Sequence, residues 1–206
     1  MKIKNLKNNL GFTLVELLIV IGLLGAIALI VISAINPIEQ SNRARDTRYK
    51  ADAGQLISAI DRYYVTLSEY PWETTTPGTY LSADTAFDFI TATDTNVGLC
   101  LAGNCTNAGL LLTSNELKSE FLNRAFAKST AATDHILVGK ALGSSSSVYA
   151  CFVPLSKSIR DKACADGNVY TIATSIRTKV TAGDVTCAGS SASWSTAPYQ
   201  FVCLPE

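Results

Sequence analysis

Apolar residues are concentrated in one early block of the chain. From Phe12 to Ile35 the only polar side chains are those of Thr13, Glu16 and Ser33. A helix of about 24 residues would measure roughly 36 Å, which is long enough to cross a bilayer. The pattern therefore predicts a transmembrane helix over residues 12–35. A secretory signal peptide remains the alternative, although its apolar core would usually be shorter, about 7 to 15 residues.

A second, amphipathic helix is predicted directly after this block. Asn36, Pro37 and Glu39 form a typical helix start, with asparagine as the N-cap and proline at the first helical position. Apolar residues then recur at helical spacing as one stripe: Ala53, Leu56, Ile57, Ile60, Tyr63, Tyr64 and Leu67. We therefore expect an extension over residues 36–70, and together the two segments would form a spine of roughly 85 Å.

Basic side chains cluster early in this extension: Arg43, Arg45, Arg48 and Lys50. Contact with nucleic acid or lipid headgroups is one interpretation. The spacing of Glu39 to Arg43 and of Asp46 to Lys50 favours another, because such pairs stabilise an exposed helix face by about 0.2–0.5 kcal/mol each. We therefore expect a solvated face.

The remainder, residues 71–206, has the patterns of a mixed head. Short β-branched and aromatic runs predict strands at Val148–Pro154, Val169–Ile176 and Tyr199–Leu204, with a turn at Asp166–Asn168. The predicted fold class is α+β, in which a long helical spine carries a head with a small antiparallel sheet.

Two helical elements are also predicted in this head. Thr113 to Glu116 fits a capping box for a helix that would run to about Lys128 and turn Leu117, Phe121 and Leu122 inward. Residues 72–112 are expected to form a long irregular connection, with one helical turn near Asp84–Ile90.

The net charge says little about binding partners, but the cysteines indicate the redox state of the compartment. The formal net charge is zero, so no global basic field would attract nucleic acid. All six cysteines lie in the second half of the chain: Cys100, Cys105, Cys151, Cys164, Cys187 and Cys203. A zinc site is the competing interpretation, but the tightest spacing, Cys100 to Cys105, is too wide for a typical zinc pair. We favour disulfides in an oxidising compartment.

Orientation follows from these cysteines. Lys2, Lys4 and Lys7 precede the apolar block, but basic residues also follow it, so the positive-inside rule does not decide. Disulfides in the head would place it outside the cytosol. We therefore expect the N-terminus to lie inside.

Catalytic chemistry is not indicated by any motif. The only histidine, His135, stands without a recognisable nucleophile motif, and Asp166, Asn168 and Asp184 lack the spacing of a calcium loop. The sequence predicts no enzyme, no cofactor and no metal site.

Glu16 is anomalous, because a carboxylate costs about 2.5–3.5 kcal/mol at the bilayer centre and less near the interface. It would either reach the headgroups or pair with a buried cation. The order Gly11, Phe12 and Glu16, after a short basic leader and before a long apolar run, resembles the prepilin signature of type IV pilins and type II secretion pseudopilins.

The resemblance implies cleavage of leader 1–11 by a prepilin peptidase and N-methylation of Phe12. The new amine would pair with Glu16 of a neighbouring subunit. It also implies an inner-membrane subunit that an assembly platform polymerises into a pilus or a pseudopilus. A minor pilin with a binding head, or a signal-anchored extracytoplasmic binding module, remains the alternative.

We predict the disulfide pairing from proximity in the sequence and from this resemblance. Relatives often close a C-terminal loop with a disulfide, as Cys187 with Cys203 would here. Proximity then favours Cys100 with Cys105 and Cys151 with Cys164.

Overall fold

The computed structural model of the chain describes residues 11–34, 36–73, 87–101, 105–141, 146–173, 176–180 and 192–205. Contacts within the chain divide it into two compact units, Met1–Ile38 and Glu39–Glu206.

Helix α1 (Leu14–Ala34) forms most of the described part of the first unit. Its stretch Leu14–Ile32 is long and apolar enough to cross a membrane, and none of it is buried within the chain. The apolar side chains lie on every side of the helix, as in helices that are surrounded by lipid or by other protein. The predicted helix is confirmed.

Helix α2 (Pro37–Leu67) begins at the predicted proline. Ala53, Leu56, Ile60 and Tyr63 are buried in the core of the second unit, which confirms most of the predicted stripe. Tyr64 and Leu67 belong to the same predicted stripe but are exposed.

The described residues form a six-stranded antiparallel sheet with the order β1-β2-β3-β6-β4-β5. The strands are β1 (Phe87–Thr91), β2 (Ile136–Lys140), β3 (Val148–Phe152), β4 (Tyr170–Ala173), β5 (Ile176–Lys179) and β6 (Gln200–Leu204). The three predicted strands correspond to β3, β4 and β6. The helical turn predicted at Asp84–Ile90 is wrong over Phe87–Ile90, which belongs to β1, and Asp84 lies outside the described residues.

Strands β2 and β3 pack against a core on each face of the sheet. On one face Ile136, Val138 and Phe152 pack in the same core as the α2 stripe. On the other, Phe89 and Cys151 pack in a second core around Trp194. Successive side chains of β2 and β3 therefore pack into different cores, because they point to opposite faces of the sheet.

The helix predicted from Thr113 to Lys128 is wrong. Helix α3 (Leu110–Thr113) ends where that helix was expected to begin, and Asn115 has a left-handed φ of 62°. This conformation stops an α-helix. A 3-10 turn (Ser119–Asn123) and helix α4 (Ala125–Lys128) follow, and Phe121 is buried as expected.

Two further α-helices lie among the described residues of the second unit. Helix α5 (Lys157–Asp166), which sequence reasoning missed, ends at Gly167, whose left-handed φ of 65° favours glycine. Helix α6 (Ala192–Ser195) carries the buried Trp194.

The disulfides only partly follow the prediction. Cys100 and Cys105 are bonded as expected. Cys151 is bonded to Cys203, since the two lie opposite each other on β3 and β6. The predicted pairs Cys151 with Cys164 and Cys187 with Cys203 are therefore wrong. Cys164 is itself disulfide-bonded, and Cys187 lies outside the described residues.

Candidate functional site

The predicted processing junction lies in an open segment before α1. Gly11 is exposed, and a Cβ built on it would have no neighbour within 4 Å. Phe12 is 84% exposed. No other described residue covers the peptide bond between Gly11 and Phe12. Its cleavage stays a prediction.

Glu16 bonds to Thr13 at the start of α1. Its Oε2 accepts hydrogen bonds from the backbone N–H and from the hydroxyl of Thr13, each at 3.0 Å. In return, the backbone N–H of Glu16 donates to the Thr13 hydroxyl at 3.2 Å. This is a capping box, which satisfies N–H groups that a helix start leaves open. The T-x-x-E pattern of Thr13 to Glu16 is the sequence signal for this cap. Sequence reasoning missed it, because it considered only headgroup contact and pairing with a cation for Glu16.

The capping box uses only part of the Glu16 carboxylate. Oε1 accepts no hydrogen bond from the residues that the structure describes, and the side chain is exposed. Glu16 is the only charged residue of the block 12–35. One oxygen therefore remains open to a partner outside the chain.

A second cluster of polar side chains forms hydrogen bonds between the start of α2 and the segment that follows β3. Glu39 accepts hydrogen bonds from the Ser156 hydroxyl at 2.7 Å, from Lys157 N–H at 3.0 Å and from Ser158 N–H at 3.1 Å. The pair Glu39 and Arg43 forms as predicted, at 3.5 Å. Glu39 thus caps the N-terminus of α5, where no side chain of α5 itself does so.

Asp46, two turns further along α2, binds the same segment. Its carboxylate is fully buried and accepts the backbone N–H groups of Leu155 at 3.2 Å and Ser156 at 2.8 Å. Arg45 adds an ion pair to it at 2.9 Å. A buried carboxylate of this kind is tolerated because hydrogen bonds and a cation compensate it.

Arg45 departs from the solvated face that the sequence predicted. Its guanidinium donates to the carbonyls of Val153 and Thr133 and pairs with Asp134 at 2.7 Å. It also lies over the Tyr49 ring, 4.1 Å from the centroid. Only 18% of the side chain is exposed, so this arginine joins α2 to two loops of the head.

The two carboxylates of this cluster differ in acidity. Burial opposes ionisation of Glu39, but the hydrogen bonds from Lys157, Ser156, Ser158 and Arg43 outweigh it and lower its pKa to about 2. Burial instead raises the pKa of Asp46, although the N–H groups and Arg45 act in the opposite direction. Glu39 is therefore an ionised cap at any physiological pH.

The other candidate residues within the described part of the chain bond to different neighbours. His135 is half-buried, and its Nε2 lies 3.1 Å from the Ser129 carbonyl. Among the described residues, no group of three or more His, Cys, Asp or Glu side chains is placed to bind a metal ion. Asp166 pairs with Lys162, Asn168 donates to the Cys203 carbonyl, and Asp184 lies outside the described residues.

Comparison with known proteins identifies only the N-terminal segment. The family model described as "Prokaryotic N-terminal methylation motif" matches residues 6–32. No curated protein and no solved structure matches the chain. The matched range contains Gly11, Phe12, Glu16 and most of α1.

Proposed function

Because the N-terminal methylation motif marks this chain as a member of the type IV pilin and pseudopilin family, we propose that it is a structural filament subunit rather than an enzyme. The observation that carries this proposal is the segment Gly11 to Glu16, which combines an accessible junction with a charge at the start of an apolar helix. The signal-anchored binding module is less favoured, since it gives no reason for this motif.

Processing is the first step of the proposed function. A prepilin peptidase would cleave after Gly11 on the cytoplasmic side and release the basic leader 1–11. The new N-terminal amine of Phe12 would then be methylated and would remain a cation. This orientation, with the head outside the cytosol, is supported by the disulfides of the head.

Assembly is the second step. The apolar surface of α1 suits the inner membrane before assembly, and an assembly platform would transfer the helix into a filament of identical or related subunits. The methylated amine of Phe12 would pair with Glu16 of a neighbouring subunit. At about 4 Å and an effective dielectric near 20, the attraction is on the order of 4 kcal/mol before desolvation.

The capping box provides a way to separate two roles of Glu16. Glu16→Gln removes the charge but keeps an oxygen that can cap Thr13, because both residues suit this position of a capping box. Thr13→Val removes the capping hydroxyl and keeps the charge. If charge pairing sets the register, Glu16→Gln abolishes assembly and Thr13→Val only reduces it.

The readout is the amount of processed subunit recovered in sheared filaments, compared with the amount in membranes. Normal assembly of Glu16→Gln would contradict the pairing and leave the capping box as the role of Glu16. The fraction that contains the filaments also distinguishes a pilus subunit from a pseudopilus subunit. Pilus filaments are expected in the sheared material in the medium, whereas a secretion pseudopilus stays with the cell envelope.

A further inference from the structure

A polar groove lies on the head, away from α2. Its walls are the end of β1 with the following turn, the Cys100–Cys105 disulfide, the 3-10 turn 119–123 and the residues around the end of α4. Its volume is about 1000 Å³. Six of the side chains that line it carry a hydroxyl group.

The described residues that line this groove include basic side chains and no acidic ones. The chain contains 17 acidic residues, yet none of the described ones lines the groove. Its basic side chains among the described residues are the exposed lysine Lys128 and the histidine His135. The groove therefore suits a ligand with hydroxyl groups and a negative charge.

Several polar groups there have no partner within the described chain. The side chains of Ser119, Asn123, Lys128 and Thr130 make neither a hydrogen bond nor an ion pair with any described residue. They supply a hydroxyl pair, an amide and an ammonium, which can all bind a ligand without breaking an internal contact.

The walls of the groove are fixed by internal contacts. Cys105 is buried and bonded to Cys100, and Ala127 is buried at the base of α4. The Ser129 hydroxyl donates to Asp134 at 2.9 Å, and the Ser129 carbonyl lies 3.1 Å from His135 Nε2. Fixed walls lower the entropic cost of binding.

We propose that this groove binds an acidic saccharide, with Lys128 on the carboxylate of the sugar and Ser119, Asn123 and Thr130 on its hydroxyls. Nucleic acid fits less well. No Phe, Tyr or Trp side chain among the described residues lines the groove, so the only described ring available for base stacking is the small imidazole of His135. One lysine also neutralises too little of a phosphate backbone.

A second groove provides the contrast. It lies between α2 and residues 116–124, has a volume of about 950 Å³ and is lined by charges of both signs. There Arg62 and Glu116 pair at 2.9 Å. Lys118 is an exposed lysine in this groove and serves as the matched control for Lys128.

The test uses the full chain, extracted in detergent, and the fluorescence anisotropy of a labelled hexamer of galacturonate. Unlabelled hexagalacturonate is expected to displace the probe, whereas neutral maltohexaose and a thymidine oligonucleotide are not. Lys128→Ala should weaken binding about tenfold, as expected for the loss of one charge-assisted hydrogen bond. Thr130→Val, which is nearly isosteric, should weaken it less, and Lys118→Ala should leave it unchanged.

Three results would overturn the proposal: no binding of hexagalacturonate, equal losses from Lys128→Ala and Lys118→Ala, or stronger displacement by the oligonucleotide. Both lysines are exposed, so the variants are expected to fold, and their melting curves check this. Because binding is measured on single extracted subunits, its outcome is independent of whether the chain assembles into a filament.

Discussion

Glu39 of α2 caps α5 by accepting the backbone N–H of Lys157 at 3.0 Å, across 118 positions of sequence. The same carboxylate holds Ser156 and Ser158, and Asp46 holds the two residues before Lys157. The start of α2 is therefore joined to the head by ionic hydrogen bonds as well as by its apolar stripe.

Removing the charge of Glu39 should destabilise the head. In Glu39→Gln the N–H groups of α5 lose an ionised acceptor, and hydrogen bonds to charged groups contribute about 1.5–3 kcal/mol. Since Gln retains one acceptor oxygen, we expect the free energy of unfolding to fall by about 1–2 kcal/mol. Denaturant unfolding of the full chain in detergent measures it. Glu120→Gln is the control, because Glu120 is exposed and its side chain makes no hydrogen bond or ion pair with the described residues.

The same residue predicts a pH dependence. The pKa of Glu39 falls from 4.5 to about 2 on folding, so its contribution is complete above pH 4.5 and is lost as the pH falls towards 2. The free energy of unfolding of the wild-type chain should therefore approach that of Glu39→Gln as the pH falls from 4.5 to about 2. A constant difference between the two unfolding curves from pH 6 to about pH 2 would contradict the assignment.

Replacing two glycines by alanine should change the free energy of unfolding in opposite directions. A Cβ on Gly139 of β2 would lie 2.5–2.7 Å from atoms of the Phe89 ring, whereas one on Gly54 of α2 would meet nothing within 4 Å. Gly139→Ala must displace Phe89 and should cost about 1–3 kcal/mol of unfolding free energy. Gly54→Ala should increase that free energy by about 0.5–1 kcal/mol, since alanine favours a helix. Melting temperatures that shift in the same direction would contradict this packing.

The sequence predicted local features better than long-range ones. The start of α2 at Pro37 and strands β3, β4 and β6 followed from patterns within a few residues. The cap of α5 by Glu39 did not, since it joins positions that only the fold brings together. The Cys151–Cys203 bond was missed for the same reason, because proximity in sequence says nothing about which strands are neighbours. Asn115 shows a different limit, since it lies within the predicted capping box Thr113–Glu116 and its left-handed backbone prevents a helix from starting there.

The cysteine pairing can be completed by mass spectrometry. Four cysteines are paired among themselves, and Cys164 is bonded. Because the chain has six cysteines, we predict that Cys164 pairs with Cys187. Digestion without reduction should yield a peptide that links Cys164 to Cys187 and another that links Cys151 to Cys203. A peptide that links Cys187 to Cys203 would instead support the pairing expected from proximity.

The most direct test of the central claim is the intact mass of the protein extracted from its own membrane. A filament subunit processed at Gly11 should have lost residues 1–11 and gained one methyl group, and fragmentation should place that group on the amine of Phe12. A Gly11→Ala control should retain the leader if the peptidase requires glycine. An intact mass that includes residues 1–11, or cleavage within or after α1, would contradict the account.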